Sequence, residues 1–368
     1  MLLLSDGDVA VGDCVAVQYS GAGGRDRLFK SREVIETIDE HVRPLLVGVG
    51  LTSFKDLAEA IDGLRVNGQP LPTAIRYGAT QALLDAVARS RKITMAEVVR
   101  DEYDTKSELA VVPMFVQCGD ERYVAVEKMI LKEVEVLPHG LINNVATKVG
   151  ERGEILLDYV RWVRDRIVAL RIRSDYAPVL HFDCYGTIGE AFGGDIEAIA
   201  TYLSTLQHAA APFHLQIEHP LDAGNRDAQI TMMAALRREL KQRNLEVEII
   251  ADEWCNTFED IEAFVAGEAA DVIHVKLPDL GGINNAIEAL LFVRAHGLKA
   301  YCGGSCTETD RSAQISAHVA MACGASQVLA KPGMGVDEGL LIVGNEMARV
   351  IAVVARRERH SGIASPTS

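Results

Sequence analysis

From residue 111 onward the chain repeats one pattern, a short β-branched or apolar run that closes on polar or glycine residues and is followed by a stretch with helical amphipathic spacing. The runs are VVPMFVQ, EVLPHGLI, PVLHFD, PFHLQIE, VEIIAD, DVIHVK, KAYCGG and QVLAKPG. Eight strand-helix repeats predict a (β/α)8 barrel. The closing polar residues Asp183, Glu218 and Asp252 lie 35 and 34 positions apart; Lys276 follows 24 later, and His139 precedes Asp183 by 44. Residues 1–110 have a different texture, with strand-like VAVGDCVAVQY, a helical stretch over 31–47 and a helix over 73–90. The division this predicts is a small α+β unit at 1–110, a barrel at 111–355 and, from the tail HSGIASPTS, a flexible end at 356–368. No Pro-rich or Ser-rich linker separates the first two.

Composition narrows the class. Hydrophobic residues make up 48% and charged residues 24%, and no apolar run approaches the roughly 18 residues of a membrane span, which points to a soluble globule with no membrane partner. The 37 basic and 52 acidic residues leave a net charge of −15, which repels a phosphate backbone and argues against nucleic acid. The seven cysteines form no CxxC pairs and are read as reduced thiols. The start MLLLSDGDVAVGD has neither the cationic beginning nor the apolar length of a signal peptide, so the expected location is the cytoplasm.

Barrel enzymes draw their catalytic groups from the carboxyl ends of several strands, where the charged residues of this chain fall. Asp183, Glu218 and Asp252 would stand at three consecutive strand tips, and the two-residue strand period would turn all three into the mouth. One such residue alone reads as a helix cap. Three together repel unless a cation joins them, and their oxygens suit Mg²⁺. Lys276 closes the next strand; a nearby cation and desolvation would lower its pKa toward that of a general base, the alternative being a simple ion pair with Glu218 or Asp252. His139 would face the pocket from the opposite wall, although spacing alone leaves it either a catalyst or a structural histidine. His181 and His214 fall deeper and are assigned to the barrel core. YCGGSCTETD and KPGMGVDEG are glycine-rich turns whose backbone N–H groups could hold an anion; the CxxxC within the first is a weak metal or redox signal. GAGGRD at 21–26 lacks dinucleotide spacing and reads as a flexible loop.

The stretches LPHGLINNV, HFDCYGTIGEAF, ADEWCNT, KLPDLGGINN and VLAKPGMGVDEG resemble the methylaspartate ammonia-lyase family of the enolase superfamily almost letter for letter, within a likeness that spans nearly the whole chain. The resemblance implies a barrel with an α+β capping domain, here partial, because the family's opening strands precede the block that begins LLLSDGDVAVGDC. It implies Mg²⁺, or Mn²⁺, on Asp183, Glu218 and Asp252, with a monovalent cation such as K⁺ as activator. Lys276 then matches the base that removes the C3 proton of L-threo-3-methylaspartate, and His139 the base on the other face. Gln117, Glu253, Ser305 and Cys306 match positions around the substrate carboxylates or their partners, Gln18 and Leu329 match pocket-lining residues, and His274 stands where a Gln donates toward the substrate. Removing a proton beside a carboxylate builds negative charge that Mg²⁺ can stabilise, after which the neighbouring amine leaves to give mesaconate, reversibly. A small amino-acid substrate and a homodimer complete the implied picture. This chain departs from the family at His274 for Gln, Ser305 for Thr and His219 for Gly. The rival readings are another enolase-superfamily dehydratase or racemase, and a truncated barrel without turnover.

Overall fold

The computed structural model describes residues 1–17, 25–28, 30–331 and 335–361. Eight strands close into a parallel barrel in chain order: β1 (Met114–Phe115), β2 (Val136–His139), β3 (Val179–Asp183), β4 (Leu215–Glu218), β5 (Glu248–Ala251), β6 (Val272–Lys276), β7 (Lys299–Gly303) and β8 (Gln327–Leu329). Each expected run supplies one strand. β8 closes on β1, pairing Leu329 with Phe115, and the matched tips Asp183 and Glu218 are register partners.

The two-residue period divides each strand between two cores. Phe115, Val136, Ile250, Val272, Tyr301 and Leu329 fill the barrel interior. Leu137, Leu180, Phe182, Ile217, Ile249 and Ile273 face out into the helical shell. The shell helices earn their place by spacing and caps. In Arg226–Gln242 the buried residues Gln229, Met233, Leu236 and Leu240 recur every three or four positions, and Asn225 caps the first turn by accepting from the Ala228 N–H. Thr257 and Thr309 each close a reciprocal capping box at the start of the helices that follow β5 and β7.

In the N-terminal unit the helix predicted over 73–90 runs Thr73–Arg91 and is buried on nearly all sides, as befits an element sandwiched between cap and barrel. The incoming chain crosses it where both partners are glycine. A Cβ at Gly78 would stand 2.7 Å from the Cys14 N–H nitrogen, and one at Gly12 would overlap the Gly78 carbonyl. The stretch over 31–47 is helical as Ser31–Thr37, Ile38–Val42 and Arg43–Leu46, the middle piece a π-helical turn. Among the described residues of the strand-like VAVGDCVAVQY, Val9–Ala10 form a strand, paired with Leu2–Leu3; the chain then leaves the strand to cross the helix. At the other end the last helix, Val336–Ser361, carries residues 356–361, which the sequence assigned to a flexible tail; its amphipathic face continues through Val350 and Val354 into the core.

Candidate active site

A cavity of about 700 Å³ opens at the carboxyl ends of the barrel strands. Gln117, His139, Asp183, Glu218, Asp252, His274, Lys276, Ser305 and Cys306 all line it. Two other expected residues do not. Leu329 is fully buried in the barrel-interior cluster, in register with Phe115 and covered by its neighbours there. Glu253 points away from the mouth to Arg25. Gln18 lies outside the described residues.

The chemical groups form one connected array. Lys276 Nζ stands 2.7 Å from Asp252 Oδ1 and 3.0 Å from Oδ2. His274 Nδ1 is 2.7 Å from Glu218 Oε1 and 3.3 Å from Asp252 Oδ1. Below them His181 Nε2 lies 2.6 Å from the other Glu218 oxygen, while Gln327 Nε2 donates to His181 Nδ1 at 3.0 Å; with Nδ1 accepting, Nε2–H is the donor to Glu218. The His181 ring also stacks flat on Phe115 at 4.0 Å. On the opposite wall His139 Nε2 is 3.2 Å from Asp183 Oδ2, and the Leu141 N–H donates to its Nδ1.

Burial alone would push all three carboxyls up; partners decide the outcome. For Asp183, burial and the nearby Glu218 win, and its pKa is raised. Burial is overcome at Glu218 by His274 and His181, which hold it well below the usual carboxylate range, and at Asp252 by Lys276 and His274, which lower it. His139, although buried, is raised to about 10 by its hydrogen bonds to Asp183 and Cys118. Lys276 was expected to fall toward neutrality. Burial does pull it down, but Asp252 and then Glu253 outweigh that, and the amine is raised above its ordinary value.

Glu218, Asp252 and His274 each offer one ligand atom within 4.8 Å of the others, the one such grouping among the described residues, whereas Asp183 is turned to His139. His274 Nδ1 faces two carboxylates as a hydrogen-bond donor, and a nitrogen that donates cannot also coordinate. The oxygens of Glu218 and Asp252, with Asp183 one strand away, are the hard donors that suit Mg²⁺. The residues fit. The N–H of His274 is thus spent on these carboxylates instead of the substrate, and its buried Nε2 has no hydrogen-bond partner among the described residues, packed where a Cβ at Gly303 would overlap it.

Five mouth residues hold the left-handed backbone that side chains avoid: His139 (φ 71°), Leu141 (48°), Tyr185 (48°), His219 (46°) and Trp254 (66°), each at or within three residues of a strand tip. His139 shows what this achieves. It pairs in register with Phe182, which faces the outer shell, so strand alternation would turn it out of the barrel; the reversed φ brings it back over Asp183. His219, where the resemblance expects Gly, occupies a conformation glycine takes freely.

Several residues near the mouth carried no legible signal. Arg25, expected in a flexible loop, is a buried clamp on Glu253 (2.6 Å), Asp279 (2.7 Å) and Asn256 (2.7 Å); residues 21–24 lie outside the described residues. Tyr185 approaches His139 at 3.5 Å, and Cys118 and Leu141 join the cavity wall. The Ser305 N–H, expected to face an anion, is donated instead to Glu308. His214 is half exposed and 2.8 Å from Glu248, not in the core, since four residues before Glu218 is already the barrel floor. In KPGMGVDEG, residues 332–334 lie outside the described residues, and Asp337 and Glu338 bring acidic groups to the rim.

The family model described as Methylaspartate ammonia-lyase C-terminus matches residues 107–356, and that described as Methylaspartate ammonia-lyase N-terminus matches residues 1–104. The chain is 57% identical over 358 residues to methylaspartate ammonia-lyase of Clostridium tetanomorphum, covering 97% of this chain and 87% of that protein. Among solved structures it is similar to a Mg complex of β-methylaspartase from Clostridium tetanomorphum (57% identity, TM-score 0.93, 97% and 86% covered). It is also similar to the Citrobacter amalonaticus methylaspartate ammonia lyase containing (2S,3S)-3-methylaspartic acid (49% identity, TM-score 0.95, 96% and 86% covered). Muconate lactonizing enzyme from Pseudomonas putida, at 19% identity and TM-score 0.62 over 86% of this chain and 77% of that one, shares the fold.

Proposed function

We infer the function from one premise: the chain belongs to the methylaspartate ammonia-lyase family, an enolase-superfamily barrel. It is a carbon–nitrogen lyase that eliminates ammonia from L-threo-3-methylaspartate to give mesaconate, reversibly. The observation that carries the site assignment is topological. Lys276 ends β6 and His139 ends β2, four strands apart in either direction around an eight-stranded barrel, so the two proton-transfer groups reach the cavity from opposite walls.

On this reading Asp183, Glu218 and Asp252 would hold Mg²⁺, which when bound supplies positive charge where negative charge develops on the substrate carboxylate. Lys276 accepts the C3 proton at Nζ as the neutral amine, after the ammonium now paired with Asp252 has given up its proton to solvent, and Asp252 is one of the groups that would hold the cation. The C3–H electrons pass first onto the neighbouring carboxylate and then form the C2–C3 double bond as the C2–N bond breaks and ammonia leaves. His139 serves the face opposite Lys276, oriented by Asp183 and the Leu141 N–H. Gln117, Ser305 and Cys306 line the part of the cavity that takes the substrate carboxylates. His274 acts one step back, holding Glu218 and Asp252 in place. Glu253 belongs with Arg25 in the wall behind Lys276.

A monovalent cation activator, use of Mn²⁺, a homodimer, a cytoplasmic location and the division into a cap (1–110) and a barrel (111–355) belong to the same proposal. Among the described residues no helix is long and apolar enough to cross a membrane. The test is to incubate the protein with Mg²⁺ and, separately, 3-methylaspartate, aspartate and a panel of hydroxy acids, and to follow the unsaturated product. Turnover of 3-methylaspartate is expected; turnover of a hydroxy acid alone would move the chain to a dehydratase reading.

A further inference from the structure

Behind the cavity wall lies an ion pair that the reaction above does not use. Lys331 Nζ is 2.8 Å from Glu308 Oε1, and both side chains are fully buried. Charges so placed are costly to desolvate and persist only where further hydrogen bonds satisfy them. Here they do. Tyr77, on the cap helix Thr73–Arg91, donates its hydroxyl to Glu308 Oε1 at 2.6 Å. The Ser305 N–H donates to Oε2 at 2.7 Å, and Lys331 also reaches the Gly303 carbonyl at 3.4 Å. One carboxylate thus collects donors from the cap, from the turn after β7 and from the residues after β8. The turn has been shaped around it: a Cβ at Gly304 would overlap the Glu308 carboxylate and stand 2.6 Å from Lys331 Nζ. Ser305 and Cys306, the residues this turn presents, line the cavity. A second tie runs the same way, for Ser305 Oγ meets Thr307 Oγ1 at 2.7 Å and that hydroxyl donates to the Ala16 carbonyl in the N-terminal unit.

We propose that Glu308, with Lys331 and Tyr77, is a positioning residue that fixes the Ser305–Cys306 turn against the capping unit, so that substrate affinity depends on a contact made from the cap. The proposal rests on the reading that this turn receives a substrate carboxylate. Because the Ser305 amide is held from behind, the turn cannot rotate to offer it to the ligand, and with the Thr307 hydroxyl spent on Ala16 the Ser305 hydroxyl is donated to Thr307; Cys306 is the residue the turn offers.

Two variants test this without leaving a buried charge alone. Tyr77→Phe removes only the cap's hydrogen bond, and Glu308→Gln with Lys331→Met removes both charges at nearly constant volume. In each, KM for 3-methylaspartate should rise while kcat changes less, by roughly tenfold for Tyr77→Phe, as for loss of a hydrogen bond to a charged group. The affinity for mesaconate, read by calorimetry, should fall in parallel, and Cys306 should be alkylated faster by iodoacetamide, read by mass spectrometry. Mg²⁺ affinity should match the parent. Turnover by the parent tests the proposed activity separately, and Cys306 labelling reports on the turn even if that activity fails. If KM, mesaconate affinity and Cys306 labelling all match the parent while only the melting temperature drops, the cluster is structural and the proposal is overturned.

Discussion

The mouth and the floor of the barrel carry similar residue types on several of the same strands, and they have been put to opposite uses. At the floor Glu248 takes His214 at 2.8 Å, Gln216 at 3.0 Å and Lys299 at 2.7 Å, while Arg237 pairs with Asp271 at 2.6 Å. Solvent is near, each carboxylate has a donor, and the pKa of Glu248 is pulled down to about 2 against the opposing effect of burial. At the mouth three carboxylates stand at the ends of adjacent strands, buried, with Lys276 the one lysine in contact among the described residues and histidines supplying the rest. One of them, Asp183, is left raised. Strained backbone also gathers at this rim, at His139, Leu141, Tyr185, His219 and Trp254. Satisfied charge stabilises a fold; crowded, desolvated charge holds chemistry in readiness for a cation and a substrate.

Removing the cation should break the comparison most completely. Chelation is expected to abolish turnover and Mg²⁺ to restore it, with the circular dichroism spectrum unchanged. Glu218→Gln should fold normally yet bind Mg²⁺ weakly in calorimetry. Full turnover by that variant without added metal would reduce the mouth cluster to a structural one like the floor.

Next in size is the loss of Lys276, the proposed base. Lys276→Ala should lower kcat for the L-threo isomer by about 10²–10⁴-fold. His139→Ala should chiefly affect the L-erythro isomer, because the two residues face the cavity from opposite strands. Equal losses of both isomers in both variants would contradict the two-wall arrangement.

A milder effect is expected at His274. If its role is to donate to Glu218 and Asp252, Gln can take it over, and His274→Gln should keep kcat within about tenfold, the scale of one hydrogen bond. A variant that binds Mg²⁺ but is inactive would place His274 in the chemistry itself.

The smallest effect on activity belongs to the floor. Glu248→Gln should leave kcat unchanged and lower stability by about 1–2 kcal/mol, a few degrees in melting temperature. The sign of its pH dependence is fixed: the folded value, about 2, lies below the unfolded value of about 4.3, so the advantage of the parent is complete above pH ~4.3 and fades as pH falls toward 2. A urea titration at several pH values reads it. A difference that grows on acidification would refute the assignment.

Much of the barrel could be read along the chain because it is periodic. Eight runs closed by a polar or glycine residue are a local pattern, and the two-residue alternation that sends Ile250 and Val272 inward and Ile249 and Ile273 outward holds strand by strand. Asp183, Glu218, Asp252 and Lys276 were legible for the same reason: each closes an apolar run, and the barrel then has no choice but to bring the ends of adjacent strands together. Where the strand was short or its period was interrupted, the reading slipped. His214 and Leu329 were placed by counting along strands of four and three residues, and His139 faces the cavity only because its φ is reversed.

What the sequence alone determined was thus the architecture, the identity of the mouth residues and, through its family blocks, the reaction. The tertiary structure decided how those residues are charged and held. Lys276 is raised because Asp252 lies 2.7 Å away, not lowered by burial. The Ser305 amide is bound to Glu308, and Arg25 reaches acceptors 228 and 254 positions distant. These contacts pair single residues across the fold, with no repeat to announce them, and their energies depend on ångström distances and on the exclusion of water, which exist only once the chain has closed.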